Sequence, residues 1–250
     1  MSGWLRIVGL GPGPNHWLTA EASETLRAAS DVVGYHAYVS RLVDTAGQRQ
    51  HASGNGDELT RATHALTLAA AGARVAVVSG GDAGVFAMAA AVFEALESGP
   101  SAWRELDIAV VPGVTAMLAA AARLGAPLGN DFCAINLSDN LKPWSVVERR
   151  LRLAAQADFV IALYNPASRA RPHQIHEAFR ILREERQPRT LVAFAIAIGR
   201  PDESIEITTL GEAEPARADM RTLVLIGAET TRALPRPNGR PFVYSPRKLG

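Results

Sequence analysis

Three glycine-containing turns in this sequence have the composition to bring backbone groups into contact with a ligand. They are Gly9-Leu10-Gly11-Pro12-Gly13, Gly80-Gly81-Asp82-Ala83-Gly84 and Pro112-Gly113-Val114-Thr115-Ala116. Glycine permits close backbone approach, and α/β proteins bind many ligands at strand–helix turns. The first turn departs from the dinucleotide pattern G-x-G-x-x-G, because Pro14 replaces the third glycine and Pro12 has no N–H for a phosphate. It is either a tight turn or a backbone cradle for a ligand that is not rich in phosphate.

Polar side chains after the predicted strands each have two interpretations. Asp82 can cap the next helix or contact a ligand, and Thr115 can be a cap or a buried hydroxyl. His36 lies in the aromatic stretch 35–38, where a single histidine is either structural or catalytic. The stretch 138–144 is either an Asx-type turn or a functional loop. Arg169 and Arg171 are either a carboxylate clamp or a solvated loop.

Composition and missing motifs exclude several classes of function. The chain has 250 residues and a net charge of +1, so no global field favours nucleic acid or an anionic membrane. Cys133 is the single cysteine, which excludes an internal disulfide and fits a cytoplasmic protein. No apolar run approaches the roughly 20 residues that span a bilayer, and no signal peptide is recognised. HExxH, CxxC, G-x-S-x-G and Walker sequences are absent, so we expect no metal site or P-loop.

The elements around the glycine turns alternate between strand and helix. Apolar runs at 5–10, 32–35, 74–79 and 107–111 read as buried strands. Helices are predicted over 19–29, 58–71 and 85–98 and from the third turn to about Leu124, with Thr19 as N-cap and Gly72 at C′. This alternation predicts a parallel sheet with the three turns on the edge formed by the strands' C-terminal ends. Residues 51–57 are predicted to be a loop.

The pattern changes after the turn-rich segment 125–130, which predicts two domains, 1–124 and 125–250. Strands are more frequent in the second half, at 133–137, 159–164, 190–197, 203–209 and 222–227. They indicate a mixed sheet in a second α/β domain. Helices are predicted over 145–155, with Ser145 and Glu148 at capping-box spacing, and over 173–185. From Pro235 onward the composition predicts a surface tail.

The order of these motifs resembles the tetrapyrrole methyltransferases that use S-adenosylmethionine. The three glycine turns carry the resemblance, which continues through Asp158-Phe159-Val160, Asn165-Pro166 and Met220–Val224. Members that methylate uroporphyrinogen typically carry Gly-Asp-Pro, whereas this chain has Ala83. That variant, together with the stretches 35–38, 139–144 and 164–168, is similar to the branch that methylates precorrin-3B and contracts its ring in cobalamin synthesis.

The resemblance implies two α/β domains of the tetrapyrrole methylase type, with the cofactor in the cleft between them. It implies a homodimer and, without a Cys-rich extension, no iron–sulfur cluster. The cofactor contacts that it implies are Pro12, Gly80, Gly81, Asp82, Val85, Thr115, Ala116, Tyr164 and Ala197.

Methyl transfer to an enamine-like carbon depends mainly on positioning, but ring contraction needs a base to remove a hydroxyl proton. The candidates for this catalytic role are Asp139, His36 and Asp82, in that order. The substrate carries many carboxylates, so we expect local basic contacts. The predicted substrate-binding residues are Tyr35, Tyr38, Asn140, Lys142, Arg169 and Arg171.

Other functions stay open at this point. The chain could be a different corrin-pathway or tetrapyrrole methyltransferase, including one whose precorrin-3B substrate contains cobalt. It could be a ribosomal RNA methyltransferase of the same fold, which the net charge disfavours. A non-catalytic protein that binds the adenosyl ligand is the third alternative.

Overall fold

The computed structural model describes residues 3–42, 47–54, 56–237 and 239–248. Its contacts divide the chain into two compact units, Met1–Ala116 and Met117–Gly250. The domain boundary predicted after residue 124 stays a prediction.

The first unit contains the parallel sheet that the sequence predicts. In the described part of this unit, five strands pair in the order β3-β2-β4-β1-β5, all parallel. Their bounds are β1 Trp4–Gly9, β2 Asp31–Tyr35, β3 Arg49–Ser53, β4 Arg74–Ser79 and β5 Asp107–Val111. Apolar side chains of β1 and β4 are fully buried, because helices cover both faces of such a sheet.

The helices of the first unit mostly begin where the sequence indicates. They are α1 Ala20–Ala28, α2 His36–Val39, α3 Glu58–Ala70 and α4 Met88–Ser98, with 3₁₀ turns at Asn15–Trp17 and Ser101–Glu105. Helix α5, Ala116–Leu124, starts at the last residue of this unit and otherwise belongs to the second. Thr19 caps α1 as predicted, since its Oγ1 accepts a hydrogen bond from the Ala22 N–H at 3.1 Å. Gly72 follows α3 at a φ of 92°, which confirms the C′ prediction. Helix α4 starts three residues later than the predicted 85.

The second unit contains the predicted mixed sheet. Its strands are β6 Gly125–Ala126, β7 Phe132–Asn136, β8 Val160–Tyr164, β9 Leu191–Ile196, β10 Ser204–Thr209, β11 Thr222–Ile226, β12 Arg232–Leu234 and β13 Phe242–Tyr244. The larger sheet has the order β10-β9-β11-β8-β7, in which β7 and β8 are parallel and the other pairs are antiparallel. Helices α6 Trp144–Gln156 and α7 Gln174–Glu185 pack with it, and a 3₁₀ turn spans Pro215–Arg217.

Several local predictions were wrong. The strand predicted to be buried at 107–111 is the edge strand β5, in which residues 107, 109 and 110 are exposed. The predicted loop 51–57 begins inside β3, because these polar residues form an edge strand that pairs only with β2. The predicted tail contains β13, which pairs with β12 and β6 and buries Val243. The capping box at Ser145 is absent, because α6 already begins at Trp144 with Pro143 as N-cap.

A buried carboxylate fastens the edge of the first sheet. Asp31 is fully buried and accepts hydrogen bonds from Arg49 Nε at 2.7 Å and Arg49 Nη2 at 2.8 Å. Ser30 Oγ donates at 2.8 Å, and His51 Nε2 lies 2.9 Å from Oδ1. The hydrogen bonds from Arg49 hold the pKa of Asp31 well below its usual range, so the folded state favours the ionised form.

We predict that Asp31→Asn destabilises the first unit by about 2 kcal/mol, because it removes charge-assisted hydrogen bonds from a buried acceptor. A lowered folded-state pKa gives stability that is complete above the unfolded pKa, near 4, and is lost on further acidification. The wild-type free energy of unfolding should therefore fall below about pH 4 more steeply than that of the variant. Urea unfolding between pH 3 and 7 measures this. Asp107→Asn, at an exposed pair with Arg6, is the matched control.

Candidate functional site

Backbone atoms of the three glycine turns are in direct contact in the first unit. Gly11 and Gly81 form a two-way bridge, in which each N–H donates to the other's carbonyl oxygen at 3.0 Å. A Cβ on Gly9 would lie 2.8 Å from both Gly113 N and Gly81 O. A Cβ on Gly113 would lie 2.4 Å from Gly81 O. Residues 9, 81 and 113 are here called the glycine junction. Gly9 and Gly113 have no room for a Cβ, and Gly81 has a φ of 68°, a conformation that favours glycine.

Asp82 locks the glycine junction. Its Oδ1 accepts a hydrogen bond from the Gly84 N–H at 2.8 Å, and its Oδ2 accepts one from the Gly113 N–H at 3.0 Å. The predicted helix cap at Asp82 is wrong, because α4 begins only at Met88 with Ala87 as its N-cap. The carboxylate instead holds the turn after β4 against the turn after β5.

The aromatic stretch after β2 reaches the same edge. The Tyr38 ring covers Gly80 so closely that a Cβ there would lie 2.7 Å from Tyr38 Cε1. The Tyr35 and Tyr38 rings pack edge to face, with centroids 5.5 Å apart. His36 lies between these two residues in the sequence, and its side chain is exposed. The structure thus places all three predicted residues at the C-terminal end of β2.

The predicted cofactor residues of the first unit fit a ligand that carries positive charge and no phosphate. Asp82 is the one ionisable member of this set, whose other members offer backbone groups and one hydroxyl. Thr115 is buried, and Pro12 and Val85 are half-buried beside the glycine junction. A fixed carboxylate and backbone carbonyls attract a cation, and proline supplies a carbonyl as well as any residue does. The set is Pro12, Gly80, Gly81, Asp82, Val85, Thr115 and Ala116.

In the second unit, side-chain amides join the loops after β7 and β8. Asn136 Oδ1 accepts hydrogen bonds from the Ser138 N–H at 2.8 Å and from Asn165 Nδ2 at 3.1 Å. Asn165 has a φ of 51°, a left-handed conformation that asparagine tolerates. Asn136 and Tyr164 end β7 and β8 in register, so both loops leave the sheet at one edge.

The two cofactor residues predicted in the second unit lie on that same edge. Tyr164 Oη accepts a hydrogen bond from the Met117 N–H at 3.0 Å, which fixes the phenol ring. Ala197 follows β9 with a φ of 49°, and its N–H donates to Arg221 O at 3.0 Å. Antiparallel pairing of β11 with β8 and β9 sets both residues at the same end of the sheet.

Gln174 contacts the predicted catalytic residue Asp139, and the sequence analysis did not single it out. Its Nε2 donates to Asp139 Oδ2 at 3.0 Å, while its Oε1 is buried without a hydrogen-bond partner. Gln174 is the first residue of α7, and Asp139 lies in the loop between β7 and α6. The sequence places Gln174 at the predicted start of a helix, but it does not indicate the contact with Asp139, which lies 35 residues away.

The basic residues and the asparagine predicted for substrate binding differ in burial. Arg171 is buried and Lys142 is half-buried, whereas Arg169 and Asn140 are exposed. Lys142 Nζ donates to Ser138 O at 2.9 Å. Burial lowers the pKa of Lys142, with further lowering from Arg150 and Arg171, while Asp139 opposes the shift. Asp139 and Lys142 lie in the loop after β7 and Arg171 in the loop after β8, and the Asn136–Asn165 hydrogen bond joins these two loops.

Two further kinds of site were searched for over the described residues. No group of three or more His, Cys, Asp or Glu side chains there has the arrangement of a metal site. None of the helices in these ranges is long and apolar enough to cross a membrane.

Comparisons with known proteins give a consistent picture. A model of the tetrapyrrole (corrin/porphyrin) methylases matches residues 5–214. The chain is 56% identical to a precorrin-3B C(17)-methyltransferase from Sinorhizobium sp, over 99% of this chain and 97% of that protein. It is 42% identical to a probable cobalt-factor III C(17)-methyltransferase from Salmonella typhimurium, over 91% and 93% of the two chains. The crystal structure of the methyltransferase CobJ has a TM-score of 0.93 and 52% identity, over 98% of this chain and 100% of that one.

We predict that Gly113→Ala lowers the free energy of unfolding by about 1–3 kcal/mol, because the added methyl group overlaps the Gly81 carbonyl and forces the backbone apart. Urea unfolding monitored by fluorescence measures the change. Gly211→Ala is the matched control, since its added Cβ meets the Pro188 side chain at 3.2 Å and no backbone atom closer than 3.4 Å. Equal stability of Gly113→Ala and wild type would contradict the glycine junction.

Proposed function

The chain belongs to the tetrapyrrole (corrin/porphyrin) methylase family, and on this basis we propose that it methylates C17 of precorrin-3B. The reaction takes the methyl group from S-adenosylmethionine, contracts the macrocycle to give precorrin-4 and belongs to cobalamin biosynthesis. The carrying observation is 56% identity to the Sinorhizobium precorrin-3B C(17)-methyltransferase over nearly the full length of both chains. The backbone carbonyls and the Asp82 carboxylate at the glycine turns support a cationic cofactor of this kind.

A cobalt-containing substrate is the second candidate. The Salmonella relative that is named for cobalt-factor III favours it, but at 42% identity rather than 56%. We therefore place the metal-free substrate first.

S-adenosylmethionine, when bound, supplies an electrophilic methyl group on a sulfonium. Residues of the first unit that would hold it are Pro12, Gly80, Gly81, Asp82, Val85, Thr115 and Ala116. Their carbonyl oxygens and the Asp82 carboxylate favour positive charge, and the glycine junction fixes them before the ligand arrives. The contacts of Tyr164 and Ala197 stay predictions.

Asp139 is the proposed base that removes the hydroxyl proton during ring contraction. Its Oδ2 accepts the Gln174 hydrogen bond, which orients the carboxyl group. Asp82 is a weaker candidate than the sequence indicated, since both of its oxygens already accept backbone N–H groups. His36 stays a candidate, and Tyr35, Tyr38 and Asn140 stay proposed substrate contacts.

The proposal extends to location and assembly. The single cysteine fits a cytoplasmic enzyme, and a homodimer is proposed from the family resemblance.

The direct test incubates the purified protein with S-adenosylmethionine and precorrin-3B and follows mass and absorption spectra. We expect a gain of one methyl group together with a ring-contracted chromophore. The cobalt-containing substrate forms the parallel arm. Methylation without contraction would assign the chain to a neighbouring step, and adenosyl binding without any methylation would assign a non-catalytic role.

We predict that Asp139→Asn lowers kcat for ring contraction by about 10²–10⁴-fold, because an amide cannot accept the hydroxyl proton. Gln174→Leu should lower the same kcat by a smaller factor and leave adenosyl binding unchanged, because it removes only the hydrogen bond that orients Asp139. Single-turnover spectra measure both.

Gln156→Leu is the matched control, since the exposed Gln156 amide donates to the Glu185 carboxylate at 3.1 Å, away from Asp139. Full contraction activity in Asp139→Asn would remove Asp139 from the mechanism.

A further inference from the structure

Arg171 is a buried cation without an anionic partner. Its residue surface is 9% exposed, and Nη1 is buried with no hydrogen-bond partner. Nη2 contacts only the Met220 sulfur, at 3.8 Å, which is a weak acceptor. Within the described ranges, no carboxylate lies at salt-bridge distance from this guanidinium. A charge taken out of water in this way costs several kcal/mol unless it is paired.

The backbone holds Arg171 in place in spite of that cost. The Ser168 N–H donates to Arg171 O at 3.1 Å, and the Arg171 N–H donates to Ser168 O at 3.0 Å. This closed turn follows Asn165, whose left-handed conformation is itself fixed by its hydrogen bond to Asn136. The backbone of this loop is therefore preorganised.

Lys142 is a second cation, in the loop after β7 that the Asn136–Asn165 hydrogen bond joins to the loop of Arg171. One of its three N–H groups is used by Ser138 O, at 2.9 Å. Burial, followed by the positive charges of Arg150 and Arg171, lowers the pKa of Lys142, and Asp139 opposes the shift. The Asp139 carboxylate already accepts a hydrogen bond from Gln174.

These observations define the ligand chemistry. Two partly desolvated cations with free donors match a carboxylate, which accepts from both and neutralises both. Arg169 is in the same loop as Arg171 but is exposed, so water screens its charge and satisfies its donors.

We propose that Arg171 and Lys142 form a binding site for one carboxylate side chain of the tetrapyrrole. The buried, unpaired charge of Arg171 lowers the stability of the ligand-free fold, and the bound carboxylate compensates it. The identity of the ligand rests on the proposed function. The site fixes the orientation of the macrocycle relative to Asp139, which shares the same loop cluster.

The test uses Arg171→Met and Lys142→Met in the full chain, with the exposed Arg149→Met on α6 as control. We expect Arg171→Met to raise KM for precorrin-3B by at least about tenfold, the equivalent of one lost charge-assisted hydrogen bond. The kcat at saturating substrate should change less than KM. The Tm should stay equal or rise, because an unpaired buried charge is removed. Arg171→Lys should recover part of the loss in KM.

A binding measurement separates this inference from the proposed reaction. Uroporphyrin III is a carboxylate-rich tetrapyrrole, and its methyl ester lacks the charges. We expect the wild type to bind the acid more tightly than the ester, and Arg171→Met to lose most of that preference. This result would support the site even if precorrin-3B were not methylated.

Two results would overturn the site. One is methylation of precorrin-3B with the same KM in wild type and Arg171→Met. The other is equal binding of uroporphyrin and its ester by the wild type. A lower Tm with unchanged KM would make Arg171 a structural residue, which also contradicts the inference.

Discussion

Backbone contact at the glycine junction is the constraint on which the first unit depends. Strands β1, β4 and β5 end side by side, and their turns meet so closely that a Cβ at Gly9 or Gly113 would overlap neighbouring backbone. The Asp82 carboxylate holds the arrangement, because it accepts hydrogen bonds from the Gly84 and Gly113 N–H groups. Because glycine has no side chain, the groups that this edge presents are mainly carbonyls and N–H groups. The N–H groups of Gly11, Gly81 and Gly113 already donate within these turns, so this edge offers few donors to a phosphate and is better suited to a cationic ligand.

The second unit reaches a comparable result with side chains instead of glycine. Asn136 joins the loops after β7 and β8 through its amide oxygen, and the register of these parallel strands makes the loops neighbours. The loop after β7 carries Asp139 and Lys142, and the loop after β8 carries Arg171, whose Nη1 is buried without a hydrogen-bond partner. Such a cluster is costly for folding, which is typical of groups retained for binding rather than for stability.

Most strands and helices could be predicted from the sequence, because buried runs such as Val75–Val78 and caps such as Thr19 are local signals. The order of the glycine turns indicated the family, which the comparisons confirm. Long-range polar contacts could not be predicted in this way. Asp82 bonds to Gly113, 31 residues away, so spacing alone suggested a helix cap instead. Edge strand β3 was missed for a related reason, since its polar residues carry no alternating apolar pattern.

The central claim is that the glycine junction positions the backbone that binds the adenosyl cofactor. A crystal structure of the protein with S-adenosylhomocysteine tests it most directly. We predict that the bound ligand lies within hydrogen-bond distance of backbone groups in residues 80–82 and contacts the turn at Thr115 and Ala116. An adenosyl ligand bound at any other part of the first unit, such as the opposite edge near Asp31, would contradict the account.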